Sequence, residues 1–189
     1  SDFKNSKIDI LIGTQMLAKG LHFPNVTLVG IIAADSNLNL PDFRAAERTF
    51  QLITQVSGRA GRGEHLGKVI VQTYEPEHYA VTSAKKYDYY SFYKKEMILR
   101  KEFFYPPYSI LFNILFTGEN RSKVVSIAEK FEAHLKEKLA ILGINPKGIY
   151  YGPHAAAFEK IRKKYRWQLI VKSKPVDQSD FRRIIDSIK

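Results

Sequence analysis

The pair Pro106-Pro107 constrains this chain more than any other feature, because one structural rhythm ends there and another begins. Proline has no backbone N–H to donate and biases the residue before it away from helical angles, so no regular element runs through the pair. The preceding segment, 77–103, reads as helical and is crowded by Tyr79, Tyr87, Tyr89, Tyr90, Phe92 and Tyr93. Rings at that density are read as packing, not as a platform for bases. A domain boundary is therefore expected near 104–107, giving domains 1–104 and 105–189.

Before the boundary, apolar runs alternate with helical periodicity. Ile8 to Gly13 is a short apolar run closed by glycine, which predicts a buried strand. Gln15 to Lys19 fits a short helical turn. Val26 to Ala33 is long enough for a strand buried on both faces. A polar loop over 35–41 follows, and Asp42 is placed to cap a helix whose inward stripe is Phe43, Ala46, Phe50, Ile53 and Ser57. Gly67 to Tyr74 predicts a third strand. Strands and helices in alternation imply a parallel α/β sheet.

After the boundary, Ile110, Phe112, Ile114 and Phe116 alternate with Ser109, Leu111, Asn113 and Leu115, the pattern of a strand with two distinct faces. Gly118 to Ser122 supplies a turn and cap for a long amphipathic helix with Val124, Ala128, Phe131, Leu135 and Leu142 on one side. A strand near 148–151 leads into Gly152-Pro153. A hairpin of 157–161 and 166–172 is expected across Arg162-Lys163-Lys164-Tyr165, with Trp167, Leu169 and Val171 facing its core. A last helix covers 178–188. The order β-α-β-β-β-α is that of a small α+β sandwich.

The charge follows the same division. Of the net +11, residues 1–75 contribute 8 Lys+Arg against 7 Asp+Glu, and residues 76–189 contribute 22 against 12. A basic field of this kind attracts polyanions, nucleic acid first, through counterion release; general solubility is the plainer alternative. With 44% apolar residues the chain has material for a core, and it has no membrane-length apolar run. Cysteine is absent, which suits a reducing compartment and removes thiolate zinc sites. His22, His65, His78, His134 and His154 lack ligand spacing, so no metal is expected in this segment. The start at Ser1-Asp2-Phe3, running almost at once into an apolar stretch, is read as a cut inside a longer protein.

Two motifs carry chemistry. In Gln55-Val56-Ser57-Gly58-Arg59-Ala60-Gly61-Arg62-Gly63, two arginines three apart on a Gly-rich turn can aim both guanidinium forks at one point. That geometry suits charge developing on a transferred phosphoryl group. A basic helix end compensated by the helix dipole accounts for the same residues. In Gly13-Thr14-Gln15-Met16-Leu17-Ala18-Lys19-Gly20-Leu21-His22, a hydroxyl and an amide follow a strand and precede a helix, an arrangement suited to a nucleic-acid phosphate. An ordinary strand-to-helix loop with Thr14 as N-cap fits equally well.

Together, in this order and separation, the two segments resemble motifs V and VI of superfamily 2 helicases, which implies that the first region is a partial RecA-like parallel-sheet lobe. The residues between them, Asp35-Ser36-Asn37-Leu38-Asn39-Leu40-Pro41-Asp42-Phe43-Arg44-Ala45-Ala46-Glu47-Arg48, together with His22, resemble the PriA family (primosomal protein N′). Tyr105-Pro106-Pro107-Tyr108, Tyr151-Gly152-Pro153 and Tyr165-Arg166-Trp167-Gln168 fit the C-terminal domain of the same family. The resemblance implies an ATP-dependent 3′-to-5′ DNA helicase that recognises stalled forks and restarts replication by primosome assembly, in the cytoplasm. Implied partners are forked and single-stranded DNA, single-strand-binding protein and helicase-loading proteins of the primosome, without a membrane.

By the same resemblance, Arg62 is the arginine finger and Arg59 its neighbour on the γ-phosphate; Gln55, Gly20 and His22 border the nucleotide. Thr14, Gln15 and Lys19 lie on the DNA track. Arg44 and Arg48 are candidates for DNA or inter-lobe contacts, or solvated helix charges. Arg162, Lys163, Lys164 and Arg166, with Tyr165, are the candidate DNA contacts of the second domain, or a solvated loop.

ATP and Mg2+ are expected cofactors of the full-length protein, and zinc only outside this segment. The chain contains neither GxxxxGK[ST] nor a DExH-like box, so alone it is expected to be inactive. It is also expected to lack a final strand of the second domain. A RecG-like translocase and a non-enzymatic nucleic-acid-binding scaffold are the alternatives.

Overall fold

The computed structural model describes residues 7–14, 26–58, 60, 67–141, 143, 150–173, 182–183 and 186. The chain forms two compact units, Ser1–Met97 and Ile98–Lys189. Their architectures are those expected: an α/β unit with a parallel sheet, then an α+β unit with an antiparallel sheet.

In the first unit β1 (Leu28–Ile31) pairs in parallel with β2 (Lys68–Val71), in register from Leu28 opposite Lys68 to Ile31 opposite Val71. Four helices accompany them: α1 (Asp35–Leu38), α2 (Ala45–Ser57), α3 (Tyr79–Lys85) and α4 (Tyr89–Glu102), the last crossing into the second unit. The core joins Ile31, Phe50, Ile53, Val81 and Phe92 with the small residues Ala34, Ala80 and Ala84. Phe50 stacks on Phe92 at 4.3 Å between ring centroids. Aromatic pairs at such separations add attraction beyond the area they bury.

Four expectations are corrected. Residues 8–13 are not a strand: Ile10 and Ile12 stand 74% and 87% exposed, and 7–14 carries no regular structure. A fully buried strand needs ladder partners and cover on both faces, and no described residues provide either there. The run at 26–33 is buried on one face only. Ile31 is in the core, whereas Leu28 and Ile32 are exposed, because helices cover one side of a two-stranded sheet. The polar loop at 35–41 begins with the short helix α1, and the segment 77–103 is two helices rather than one. They separate at Tyr87, whose backbone is left-handed at φ 54°, a conformation a helix cannot continue through. Each has its own cap: His78 Nδ1 accepts from Ala80 N at 3.2 Å, and the Asp88 carboxylate accepts from Ser91 N at 2.9 Å.

The α2 stripe is Ala45, Thr49, Phe50 and Ile53, with Ala46 and Val56 partly buried against the core. Asp42 caps the turn just ahead of the helix, accepting from Arg44 N at 2.9 Å.

In the second unit β3 (Ile110–Gly118) and β4 (Tyr150–Ile161) flank β5 (Lys164–Ser173), all antiparallel, in the order β3-β5-β4. Phe112, Ile114 and Phe116 lie opposite Val171, Leu169 and Trp167. This face is covered by α5 (Arg121–Ile141), which buries Val124, Ala128, Leu135 and Leu139. Leu142 lies outside the described residues; Leu139, fully buried, continues the stripe. Asn120 starts the helix, its side chain accepting from Lys123 N at 3.0 Å. Of the expected final helix, only Arg182, Arg183 and Asp186 are described.

The strand near 148–151 and the first arm of the hairpin are one element. β4 runs continuously through Gly152-Pro153, with register shifts between Tyr151 and His154 and between Ala155 and Lys160. Proline is tolerated because, among the described strands, β4 lies at the sheet edge, where a missing N–H leaves no ladder bond unmade. Glycine is required beside it. Gly152 has φ 109°, and a Cβ there would lie 2.7 Å from the carbonyl oxygen of Gln168.

Candidate functional site

Candidate residues fall into four groups. The first is the end of α2. Gln55 occupies its last turn and is exposed, and Gly58 is the C-cap, its N–H bonded to Thr54 O at 3.1 Å. The helix thus ends at Gly58, within the arginine motif. Arg59 and Arg62 themselves lie outside the described residues, as do Gln15, Lys19, Gly20 and His22. Thr14 is described and is exposed at the end of the irregular segment 7–14.

The second group is at the start of α2. Arg48 Nη2 lies 2.9 Å from one Asp42 oxygen, and Arg44 Nε lies 3.4 Å from the other. Arg44 also sits 5.2 Å from the centre of the Phe43 ring. Burial pushes the Asp42 carboxyl up, but the Arg44 N–H and the charges of Arg48 and Arg44 outweigh it, leaving the group below its usual range. Both arginines are about half exposed, and ion pairs of this kind contribute little, ~0–1 kcal/mol. A phosphate could therefore compete with Asp42 for either guanidinium at small cost.

The third group is the hairpin. Its loop is two residues, Arg162 and Lys163, not four; Lys164 already belongs to β5 and pairs with Ile161. Both loop residues are left-handed, at φ 49° and 68°. Such turns favour glycine and asparagine, and each bulky residue there costs roughly 1–2 kcal/mol. Lys164 and Arg166, two apart on the strand, share one face, while Tyr165 and Trp167 share the other. Lys160 Nζ lies 4.6 Å from the centre of the Tyr165 ring, and the Arg121 guanidinium 4.8 Å from that of Trp167. Trp167 is half-buried on the core face, with this cation over its exposed side.

The fourth group was missed from the sequence. Asp35 is buried just past the C-terminal end of β1, and its carboxylate accepts from the Thr73 hydroxyl and from Tyr74 N at 3.0 Å, just past the end of β2. The Thr73 and Tyr74 bonds hold its carboxyl below the usual range. The chain reaches it through Ala33, left-handed at φ 53°. Ligands of open α/β sheets bind at this carboxyl end of the strands. Asp35 heads the polar block read from the sequence, but nothing local links it to a threonine 38 residues away.

Among the described residues no group of three or more His, Asp or Glu is placed to hold a metal ion, and no helix is long and apolar enough to cross a membrane.

Residues 101–189 match the family model described as Primosomal protein N C-terminal domain, and residues 1–64 match that of the Helicase conserved C-terminal domain. The Replication restart protein PriA of Bacillus subtilis (strain 168) is 49% identical over 178 residues, covering 94% of this chain and 22% of that protein. Its counterpart in Synechocystis is 45% identical over 171 residues, covering 90% and 20%. That of Treponema pallidum is 41% identical over 189 residues, covering 99% and 28%. The chain thus spans less than a third of the length of these relatives. With a helicase C-terminal domain followed by the PriA C-terminal domain, the chain belongs to the PriA family of replication restart proteins.

Proposed function

We propose that this chain is the second-lobe and C-terminal part of an ATP-dependent 3′-to-5′ DNA helicase that restarts replication at stalled forks. The observation that carries the reading is the helicase match over residues 1–64, which spans the arginine motif that continues from the end of α2 at Gly58. Arg62 acts as the arginine finger and Arg59 supports it, their charges stabilising the triphosphate as the γ-phosphoryl group departs. Gln55, Gly20 and His22 border the nucleotide. Thr14, Gln15 and Lys19 contact the DNA backbone and couple its movement to hydrolysis.

The described residues hold no cluster suited to Mg2+. In this reading the ion and the phosphate-cradling loop belong to the partner lobe, and any zinc also lies outside this chain. Arg44 and Arg48 exchange Asp42 for DNA phosphate or for the facing lobe. The strained basic turn at Arg162 and Lys163, with Lys164 and Arg166 behind it, contacts the backbone of forked or single-stranded DNA. Single-strand-binding protein and helicase-loading proteins are the expected protein partners, and the cytoplasm the compartment.

The purified chain tests the division of labour. It should bind DNA with an affinity that falls steeply with salt, and it should not hydrolyse ATP even when DNA is present. DNA-stimulated hydrolysis by this chain alone would contradict the reading.

A further inference from the structure

The tyrosines of α4 keep most of their surface outside the core, although the Tyr89 ring also lies 6.2 Å from that of Phe50. Phe92 and Glu96 take the buried positions of the helix, while Tyr89, Tyr90 and Tyr93, with Tyr87 just ahead of the helix, stand 64%, 64%, 46% and 59% exposed. Tyr89 and Tyr93, one turn apart, hold their rings nearly parallel at 6.1 Å between centroids. Beside them Lys94 Nζ lies 4.5 Å from the centre of the Tyr90 ring. Lys86 and Lys94 flank the rings and are exposed.

We propose that this face of α4 is a stacking platform for single-stranded DNA, distinct from both the motor motifs and the basic hairpin. Exposed rings with interleaved cations are what a flexible polyanion with aromatic bases requires: each base has a π-face to stack, and each linking phosphate needs a positive charge. Of the nearby acidic groups, Glu96 is buried and accepts from Tyr79 Oη at 2.6 Å, whereas Asp88, kept ionised by its Ser91 bonds and by Lys86, offsets part of the Lys86 charge and leaves Lys94 as the principal cation on the rings. Four exposed rings beside lysines, rather than an aliphatic patch, favour nucleic acid over a protein partner. The replication-restart family of the chain decides for DNA over RNA; the platform itself does not depend on the motor reading.

Fluorescence anisotropy of the full 189-residue chain with a labelled oligothymidylate tests the platform. Replacing Tyr90→Ala and Tyr93→Ala together should weaken binding by about tenfold or more, the scale of removing base–aromatic stacks. Tyr90→Phe with Tyr93→Phe keeps the rings and should retain affinity close to that of the parent. Lys86→Ala with Lys94→Ala should lower the salt slope by about 0.7 for each phosphate that is no longer neutralised. An oligonucleotide carrying 5-iododeoxyuridine should photo-crosslink to the peptide containing residues 89–93. Unchanged affinity in the alanine variant, an equal loss in the phenylalanine variant, crosslinks confined to other segments, or tighter binding of an RNA of equal length would each overturn the proposal. Loss of DNA binding with Lys163→Ala and Lys164→Ala, but not with the tyrosine variants, would leave the hairpin standing and remove the platform.

Discussion

The two units solve the same problem, burying apolar strands, with opposite success. In the second, Phe112, Ile114 and Phe116 pack against the core that α5 and β5 share, and Leu135, Leu139, Leu169 and Val171 are entirely buried. In the first, helices cover one face of a two-stranded sheet, while Ile32 and Ile70 on the other face, and Ile10 and Ile12 upstream, remain in water. Antiparallel sheets commonly keep one face wet, but parallel sheets occur almost only with both faces covered. The contrast teaches that, among the described residues, α5 closes the core of the second unit while the parallel sheet of the first keeps an open apolar face.

The largest effect that would sharpen this contrast is in the second core. Leu169→Ala should cost about 2–5 kcal/mol, because it removes fully buried methyl groups and leaves a cavity. Trp167, the only tryptophan, reports the transition in urea-unfolding fluorescence. A cost near zero would mean that this core is not closed. Next is Gly152→Ala, which puts a Cβ against the Gln168 carbonyl in a left-handed backbone; roughly 1–3 kcal/mol should be lost in the same assay. A stability equal to that of the parent would show that the strand shifts to admit it.

A smaller effect should appear with pH, confined to the first unit. Burial holds the His78 imidazole below its ordinary value, with Glu75 and Glu96 opposing, and its Nδ1 must stay unprotonated to accept from Ala80 N. The folded pKa lies below the unfolded one, so the stabilisation is complete above about pH 6.5 and is lost as pH falls through the folded value. The protection factors of the α3 amides, the exchange rates corrected for their intrinsic pH dependence, should fall over that window. They should stay constant there in His78→Asn, which can still cap. Protection that still falls with pH in that variant would point to another group. The smallest effect is expected at Ile32→Ser on the open sheet face, where stability of the chain should change by no more than about 0.5 kcal/mol. A large loss would mean that this face is covered after all, and the contrast between the units would fail.

Much of the fold was legible in the residues because local patterns set it. The alternation of Phe112, Ile114 and Phe116 gave the inward face of β3, and the spacing of Val124, Ala128 and Leu135 gave that of α5. Exposure was not legible. Ile8 to Ile12 has the composition of a buried strand, but burial depends on what else covers it, and composition does not say. The break at Tyr87 and the merging of two strands into β4 are likewise set by surroundings: a left-handed residue and an edge position that tolerates Pro153.

Of the candidate site, the motifs could be read as motifs, but the pairing of Arg44 and Arg48 with Asp42, two and six residues away across the start of α2, has no helical spacing to announce it. The Asp35–Thr73 bond joins residues 38 apart and has no local signature. The tyrosines of α4 looked like packing because ring-rich helices usually pack. Only the placement of Phe92 and Glu96 on the buried side showed that the tyrosines face outward.

The most direct test of the account is Arg62→Ala in a full-length protein of this family, with nucleotide binding and DNA-stimulated ATP turnover measured side by side. The account predicts that binding is largely kept and that turnover falls by ~10³ or more, the contribution of an arginine finger. Turnover equal to that of the parent would contradict it.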